Sequence, residues 1–260
     1  MTARAQYERD GFYLVPSVIP QDLARCVSAR MDAVIAGEYD TGIAPAGRNG
    51  KPGESLDKLQ NIGNVHLSDR TIHQAISHPA IGRWAATITG AKMVQVFTTQ
   101  LLVKPTSSAD TVNVGWHQDQ QYWNAALQGE LFTAWLAISD VTAASGPMRF
   151  VRGSHHWGLL MAGDFYDGKM DVTKQRIQSK HGNGAWEEVA GVLPAGGVSF
   201  HHRLTVHGSA ANHAPWPRKS LAIHLRTEKS SLRDGVNYEA TGYLNDFNDE
   251  HACPVIYREQ

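Results

Sequence analysis

Residues 115–120 read Gly-Trp-His-Gln-Asp-Gln and place His117 and Asp119 two positions apart. In an extended strand, residues i and i+2 point to the same face, so this spacing predicts an imidazole and a carboxylate projecting side by side. One more histidine would complete the two-histidine, one-carboxylate set that binds non-haem Fe(II) and leaves coordination positions open. The pair alone is weak evidence, because 13 histidines in 260 residues make a chance His-x-Asp expected on the order of once.

The sequence around this pair has the residue pattern of a β-protein. From about residue 93, short runs rich in β-branched, aromatic and aliphatic residues are separated by turn signals such as Ser145-Gly146-Pro147, a pattern that predicts a sandwich or jelly roll. The predicted strands are 93–103, 112–118, 131–139, 198–200, 204–207 and 220–227. Residues 160–190 are Gly-rich and polar, which predicts a long excursion over the barrel mouth.

The first 90 residues have a helical pattern instead. Pro20 suits a first helical turn, and the apolar residues that follow it up to residue 36 fall on one face, which predicts an amphipathic helix over 20–36. The other elements predicted here are a short strand (11–15), a mobile loop rich in Gly, Pro and Ala (37–57) and two helices (69–77 and 79–89).

The domain organisation follows from length and continuity. We find no internal repeat, low-complexity tract or linker in the 260 residues, and a chain of this length can bury a sizeable core without disulfides. We therefore expect one domain, mainly β with flanking α-helices. It would have a helical N-terminal part of about 1–90, a jelly-roll core of about 91–227 and a C-terminal extension of 228–260.

Composition excludes several classes of function. The net charge is −1 and there is no basic stripe with interleaved aromatics, so nucleic acid is not an expected partner. No apolar run approaches 18 residues, and the polar start lacks the apolar run of a signal peptide. Cys26 and Cys253 form no Cys-x-x-Cys pair, so we expect reduced thiols and a cytoplasmic protein.

The second histidine ligand should lie on a later strand, and His207 is the best candidate. It follows a Gly-Gly turn and a strand, and Arg218 begins the next apolar run eleven residues later. The segment 212–217 between them has the composition of a turn, so we expect two adjacent antiparallel strands to hold both side chains in one pocket. His201 and His202 compete with His207, although at least one of them is expected to be a hydrogen-bonded core residue.

Together these motifs resemble the phytanoyl-CoA dioxygenase family of Fe(II)- and 2-oxoglutarate-dependent oxygenases. The resemblance covers about Leu101 to Arg226, with weaker agreement at Gly11–Val15. Several ordered motifs at fitting separations are far more specific than His-x-Asp alone. They are Trp116-His117-Gln118-Asp119, Thr133-Ala134-Trp135-Leu136, Ser145-Gly146-Pro147, Gly153-Ser154-His155 and the segment from His207-Gly208-Ser209 to Arg218.

The resemblance implies a fold and a set of site residues. The fold would be a double-stranded β-helix, a cupin-like jelly roll, and His117, Asp119 and His207 would bind Fe(II). 2-Oxoglutarate would chelate the iron, and its far carboxylate would need a buried cation, for which a guanidinium is suited because it binds carboxylate bidentately. The residues implied to contact this cofactor are Arg218, Ser209, Gln100 and Trp135. Lys104 is left open between the cofactor pocket and solvent.

The resemblance also implies an activity. It is a dioxygenase reaction that uses O2, releases succinate and CO2 and hydroxylates a small molecule, which could be free, CoA-linked or carrier-bound. Related halogenases replace the carboxylate with Gly or Ala, whereas this chain keeps Asp119, which favours hydroxylation or another non-halogenating oxidation. Two alternatives stay open: a zinc-dependent hydrolase, since two histidines and an aspartate can hold zinc with an open water position, and a non-catalytic cupin-like protein that binds metal or 2-oxoglutarate.

Overall fold

The computed structural model describes residues 1–54, 57–107, 112–181 and 185–260. None of the helices in these ranges is long and apolar enough to cross a membrane. The α-helices are α1 (Ala3–Asp10), α2 (Gln21–Ala36), α3 (Arg70–Ile76), α4 (Pro79–Thr89), α5 (Gln120–Trp123), α6 (Met170–His181) and α7 (Tyr238–Thr241). Short 3-10 helices lie at Val65–Leu67, Ala143–Ser145 and Ser154–Trp157.

The strands form two antiparallel sheets that enclose a cavity. They are β1 (Phe12–Val15), β2 (Gly47–Arg48), β3 (Gln60–Gly63), β4 (Met93–Lys104), β5 (Val114–His117), β6 (Leu127–Ala137), β7 (Arg149–Val151), β8 (Glu188–Ala190), β9 (Val198–His202), β10 (His207–Ser209), β11 (Arg218–Leu232) and β12 (Val255–Arg258). Within the described residues, the larger sheet has the order β1-β9-β6-β11-β4-β3-β2, with β12 paired to β4, and the smaller sheet has the order β5-β10-β7-β8. The predicted jelly roll is confirmed.

A helical layer covers the outer face of the larger sheet. Val27 and Met31 of α2 are fully buried and share one apolar cluster with Phe132 of β6. The predicted amphipathic helix is confirmed, with Pro20 as its N-cap. Gly37 ends it in the left-handed conformation (φ 96°) that favours glycine, where its N–H bonds the carbonyls of the last turn. The two further predicted helices are also confirmed, as α3 and α4.

The inner face of the larger sheet supplies rows of side chains to the cavity. Strands β4, β11 and β6 pair in register, so alternate residues of the three lie side by side on the same face. The inward rows are Lys104 and Arg218; Leu102, Ser220 and Ala137; Gln100, Ala222 and Trp135; and Thr98, His224 and Thr133. From Arg218 to His224 is six residues along β11, or about 20 Å of extended strand.

Two predicted irregular segments contain regular structure. The loop predicted over 37–57 includes the two-residue strand β2, and its residues 55 and 56 lie outside the described ranges. The excursion predicted over 160–190 contains α6 and β8, the latter paired with β7, while residues 182–184 lie outside the described ranges. Sequence analysis missed β2 and β8 because a two- or three-residue strand has no periodicity to detect. It missed α6 because only Thr173 and Ile177 of that helix are buried, so it has no apolar stripe.

The prediction that His207 and Arg218 occupy adjacent strands is wrong. Strand β10 pairs with β5 and β7 in the smaller sheet, whereas β11 pairs with β4 and β6 in the larger one. The segment 210–217 crosses from one sheet to the other, and its prolines lack the N–H that a continued ladder would need. The Asn212 side chain bridges the crossing by donating to the carbonyl of Lys104 (3.2 Å) and to that of Trp216 (2.8 Å).

Candidate metal centre and cofactor pocket

His117 and His207 face each other because of the β5–β10 register. The two residues are direct partners in the antiparallel pair, and their ring centroids lie 4.2 Å apart. Each Nδ1 lies close to a backbone carbonyl, that of Gly115 for His117 (2.7 Å) and that of Thr205 for His207 (2.9 Å). A carbonyl can only accept, so each Nδ1–H donates to it and each Nε2 lone pair faces the cavity, the arrangement of metal-binding histidines.

Asp119 lies beside the two histidines, but its backbone conformation differs from the one expected. Strand β5 ends at His117, and Asp119 has helical dihedrals (φ −56°, ψ −37°) as the N-cap of α5. The expectation that both side chains project from one extended strand is therefore wrong for Asp119. Its Oδ1 nevertheless lies 3.7 Å from His117 Nε2 and 3.5 Å from His207 Nε2. One ligand atom of each residue lies within 4.8 Å of those of the other two.

Burial sets the charge state of these groups. His117 and His207 are each 4% exposed, and burial lowers the pKa of both imidazoles, that of His207 well below its usual range. Burial also acts to raise the pKa of Asp119, but His207 and His201 outweigh it and hold the pKa of that carboxyl well below its usual range. Two neutral imidazoles and one carboxylate are the protonation states that a divalent metal requires.

A hydrogen-bond network fixes the orientation of Asp119. Thr133 Oγ1 donates to Asp119 Oδ2 at 2.6 Å, and His201 Nε2 lies 3.2 Å from the same oxygen. Since the Thr133 proton is used in this way, His224 Nδ1–H donates to Thr133 Oγ1 at 2.9 Å. With Oδ2 held from two sides, Oδ1 is left to face His117 and His207. His201, a competing candidate in the sequence, is thus a partner of the carboxylate and lies outside the group of three.

Arg218 forms a buried cationic end of the cavity. The side chain is 2% exposed, stacks over the Trp135 ring at 5.2 Å and donates to the carbonyl of Gly146. Its Nε is buried without a hydrogen-bond partner, and none of the described carboxylates forms an ion pair with it. Burial lowers the pKa of Arg218 to about 10. An unpaired buried cation is costly, so this end of the cavity fits an anion such as the far carboxylate of 2-oxoglutarate.

Lys104 lies beside Arg218 and is fully buried, which excludes the solvent-facing alternative. Its Nζ donates to Ser209 Oγ (2.6 Å), to the Ser209 carbonyl (3.0 Å) and to the Ala210 carbonyl (2.5 Å). Burial, with a contribution from Arg218, lowers the pKa of Lys104 well below its usual range. Because Ser209 Oγ accepts from Lys104, its own hydroxyl proton is free to donate into the cavity.

One cavity of about 280 Å³ joins the metal-binding group and the cationic end. The predicted site residues that line it are His117, Asp119, His207, Arg218, Ser209, Gln100 and Trp135. Trp135 contacts Arg218, and Gln100 Oε1 lies 3.4 Å from His224 Nε2. The structure thus brings together every residue that the sequence proposed for iron and for 2-oxoglutarate.

Comparison with known proteins agrees with this geometry. The sequence pattern of the phytanoyl-CoA dioxygenase (PhyH) family matches residues 7–220. The chain belongs to the phytanoyl-CoA dioxygenase family. It is therefore an Fe(II)- and 2-oxoglutarate-dependent oxygenase, and the resemblance identified in the sequence is confirmed.

Relatives in this family have different names. The chain is 24% identical to an ectoine dioxygenase of Bordetella parapertussis over 245 residues, which cover 87% of this chain and 75% of that protein. It is 25% identical to a probable phytanoyl-CoA dioxygenase of Caenorhabditis elegans over 250 residues, 92% of this chain and 78% of that protein. The crystal structure of the epimerase SnoN with Fe3+, alpha ketoglutarate and nogalamycin RO is similar in fold (TM-score 0.68, 24% identity, 90% of this chain and 86% of that chain).

Sequence reasoning missed two groups of residues around this family site. One is the Asp119 network, although Thr133 stands in a quoted motif and His224 lies on the inward face of β11. The other is a set of aromatic residues around the cavity: Tyr122, Phe165, Tyr166 and Tyr243. They come from separate loops and from α5 and have no common spacing, so no periodic signal joins them.

Proposed function

We propose that His117, Asp119 and His207 hold the Fe(II), and that the enzyme hydroxylates a small-molecule substrate. The observation that carries this proposal is the group of three buried ligand atoms within 4.8 Å of one another. The group lies in the same cavity as a buried arginine with an unpaired Nε. A dicarboxylic 2-oxo acid that chelates a metal requires a set of metal ligands and a cationic side chain in the same cavity.

In this proposal each residue has a defined task. The two imidazoles donate through Nε2, and Asp119 is held by Thr133 so that Oδ1 serves as the third ligand. Arg218 and the Ser209 hydroxyl bind the far carboxylate of 2-oxoglutarate, with Trp135 and Gln100 lining its path. When bound, iron and 2-oxoglutarate supply the O2-dependent oxidation of substrate, with succinate and CO2 released.

Hydroxylation is the proposed outcome because Asp119 occupies the ligand position that halogenation would need to be free. The carboxylate is ionised, oriented by two partners and directed at both imidazoles. We therefore favour oxygen transfer to the substrate over halogen transfer.

Two alternatives keep a role for the same ligands. A zinc-dependent hydrolase would use the two histidines and the aspartate with an open water position, but it would leave Arg218 buried and without an anion. A non-catalytic protein would bind metal and 2-oxoglutarate without turnover. Succinate formation separates the proposed oxygenase from both.

We also propose that these residues act as one domain in the cytoplasm. Asn61 from the N-terminal part, Trp135 from the core and Tyr243 from the C-terminal extension line the same cavity, which supports a single functional unit. Cys26 and Cys253 are both free, which supports a reducing compartment.

The test is anaerobic. Fe(II) and 2-oxoglutarate are added to metal-free protein, the weak visible charge-transfer band of the chelated cofactor is recorded, oxygen is admitted and succinate is assayed. We expect a band and then succinate, even with slow uncoupled turnover. Absence of the band together with tight zinc binding would overturn the proposal in favour of hydrolysis.

Single-residue variants test the ligand assignment in the same assay. His117→Ala, Asp119→Ala and His207→Ala should each abolish the band and coupled turnover while circular dichroism stays close to that of the wild type. His156→Ala, which changes an exposed histidine away from the cavity, is the matched control and should retain both. Full activity in any of the three ligand variants would show that the wrong ligand was named.

A further inference from the structure

An aromatic chamber lies on the His117 side of the cavity and leads to its mouth. We call it the outer chamber and define it by Tyr122, Phe165, Tyr166, Tyr243 and Asn61, all of which line the cavity. The Phe165 and Tyr122 rings lie 5.3 Å and 6.0 Å from the His117 ring. Tyr166 is 66% exposed and Tyr122 is 43% exposed, so these two rings mark the opening to solvent.

Hydrogen bonds hold the walls of the chamber in place. The backbone N–H of Phe165 donates to Tyr122 Oη at 2.7 Å, and Tyr243 Oη–H donates to the Tyr122 carbonyl at 3.4 Å. Asn61 Nδ2 donates to Tyr166 Oη at 3.4 Å, and the rings of Phe165 and Tyr166 meet edge to face at 4.9 Å. The aromatic rings therefore come from three chain segments that are held to one another by hydrogen bonds and ring contacts.

The described part of the lining offers no charge to a substrate. Apart from histidine and tyrosine, its ionisable side chains are Asp119 and Arg218, which the proposed function assigns to iron and to 2-oxoglutarate. The His224 imidazole is engaged within the protein, because its Nδ1–H donates to Thr133 Oγ1. The nearby Asp164 is exposed, and its Oδ1 accepts from the N–H of Tyr166 in its own loop.

The charge and shape of the chamber determine which substrates it can bind. A charged group would lose its hydration and gain no counter-ion from the lining that the structure describes, which is strongly unfavourable. Flat apolar groups gain most, because aromatic rings pack favourably face to face or edge to face. The Asn61 amide of the chamber can hydrogen-bond an uncharged polar substituent. The cavity of about 280 Å³ also has to hold iron and 2-oxoglutarate in the proposed function, so only the reacting portion of the substrate enters the outer chamber and the remainder extends past Tyr166.

We propose that the outer chamber selects substrates whose reacting portion is an uncharged, planar, aromatic ring system, and that it rejects carboxylates, phosphates and ammonium groups at that position. This inference rests on the proposed function, because it takes Asp119 and Arg218 as already paired. It defines the class of substrate that the assigned iron site would oxidise.

The test compares probes that share one ring system and differ in charge. Equilibrium dialysis without oxygen, in the presence of Fe(II) and saturating 2-oxoglutarate, gives the Kd of neutral 2-naphthol, anionic 2-naphthoate and cationic 2-naphthylmethylammonium at pH 7. Saturating 2-oxoglutarate prevents 2-naphthoate from occupying the Arg218 end. We expect 2-naphthol to bind roughly tenfold or more tightly than either ion, since one unpaired charge outweighs that factor.

Variants at the mouth connect this preference to the chamber. Tyr166→Ala should weaken 2-naphthol binding by roughly threefold or more, and Tyr166→Arg should shift the preference toward 2-naphthoate. Both changes are at an exposed side chain, so folding should be preserved. Tyr257→Ala, which alters a tyrosine of β12 that does not line the cavity, is the matched control and should bind all three probes as the wild type does.

The outcomes separate this inference from the proposed function. Equal binding of the three probes, tighter binding of an ion by the wild type, or no effect of either Tyr166 variant would overturn the substrate class even if the charge-transfer band forms. Absence of the band would overturn the iron assignment, while dialysis would still measure the charge preference of the chamber directly.

Discussion

Arg218 offers the sharpest test of the cofactor pocket, because its environment is unfavourable until an anion binds. The guanidinium is 2% exposed, has an unpaired Nε and has no carboxylate partner among the described residues. Burial lowers its pKa from the ordinary arginine value to about 10. At 1.36 kcal/mol for each pKa unit, keeping this group charged at pH 7 costs on the order of 3 kcal/mol. A bound carboxylate would offset that cost.

Arg218→Ala should therefore weaken 2-oxoglutarate binding strongly and reduce the free energy of unfolding only slightly. Removing one partner of a buried, hydrogen-bonded charge pair costs about 2–5 kcal/mol, which corresponds to roughly 30- to several-thousand-fold weaker 2-oxoglutarate binding. Truncating Arg218 leaves a space in the interior, which lowers the free energy of unfolding of the cofactor-free protein. The loss should be smaller than for an apolar side chain of similar volume, because an unpaired buried charge is removed as well.

The assay is a titration of 2-oxoglutarate into the Fe(II) protein without oxygen, followed by the visible charge-transfer band, together with urea unfolding of the cofactor-free protein. Arg149→Ala is the control, since Arg149 is an exposed partner of Glu188 in the smaller sheet. A change in 2-oxoglutarate affinity below threefold in Arg218→Ala would remove Arg218 from the pocket. Equal weakening by Arg149→Ala would show that the effect is not specific to this site.

Three further changes probe the surroundings of the site. Thr133→Val removes the donor to Asp119 Oδ2, and we expect iron affinity, measured by competition with a chelator, to fall roughly tenfold. Burial lowers the pKa of His66 to about 4, so the unfolded chain takes up a proton there at a higher pH than the folded protein does. The stability of the wild type should therefore fall by on the order of 3 kcal/mol between pH 6.5 and 4. His66→Gln should reduce this pH dependence. Gly163→Ala would place a Cβ 2.0 Å from the Trp116 carbonyl, and we expect a stability loss of about 1–3 kcal/mol with faster hydrogen exchange in the segment that carries Phe165.

Each of these changes has a matched control or a result that would contradict it. Thr87→Val, on the exposed side of α4, should leave iron affinity unchanged; an equal loss there would refute the role of Thr133. For His66, unfolding at pH 7 and near pH 4 should show a smaller difference in the variant than in the wild type, and identical differences would refute the argument. Gly168→Ala meets nothing within 4 Å, so matching destabilisation by it would show that close packing at Gly163 is not the cause.

Local patterns predicted the elements whose formation depends on their own residues. The helix after Pro20 was predictable because its apolar residues recur with the helical period, and the strands of the core because their residues are β-branched and aromatic and end at turns. Register and sheet partners were not predictable, since they depend on contacts between segments far apart in the chain. That is why His207 and Arg218 were wrongly assigned to adjacent strands.

The sequence by itself determined which residues can serve as ligands, because His117, Asp119, His207 and Arg218 have the necessary chemistry and stand in motifs of one family. Only the tertiary structure decided how they meet: Asp119 turns into α5 and is aimed by Thr133, and the two sheets face each other across the cavity. The physical reason is that side-chain chemistry belongs to single residues, whereas distance, burial and the lack of a counter-ion among the described residues arise when the two sheets close around the cavity.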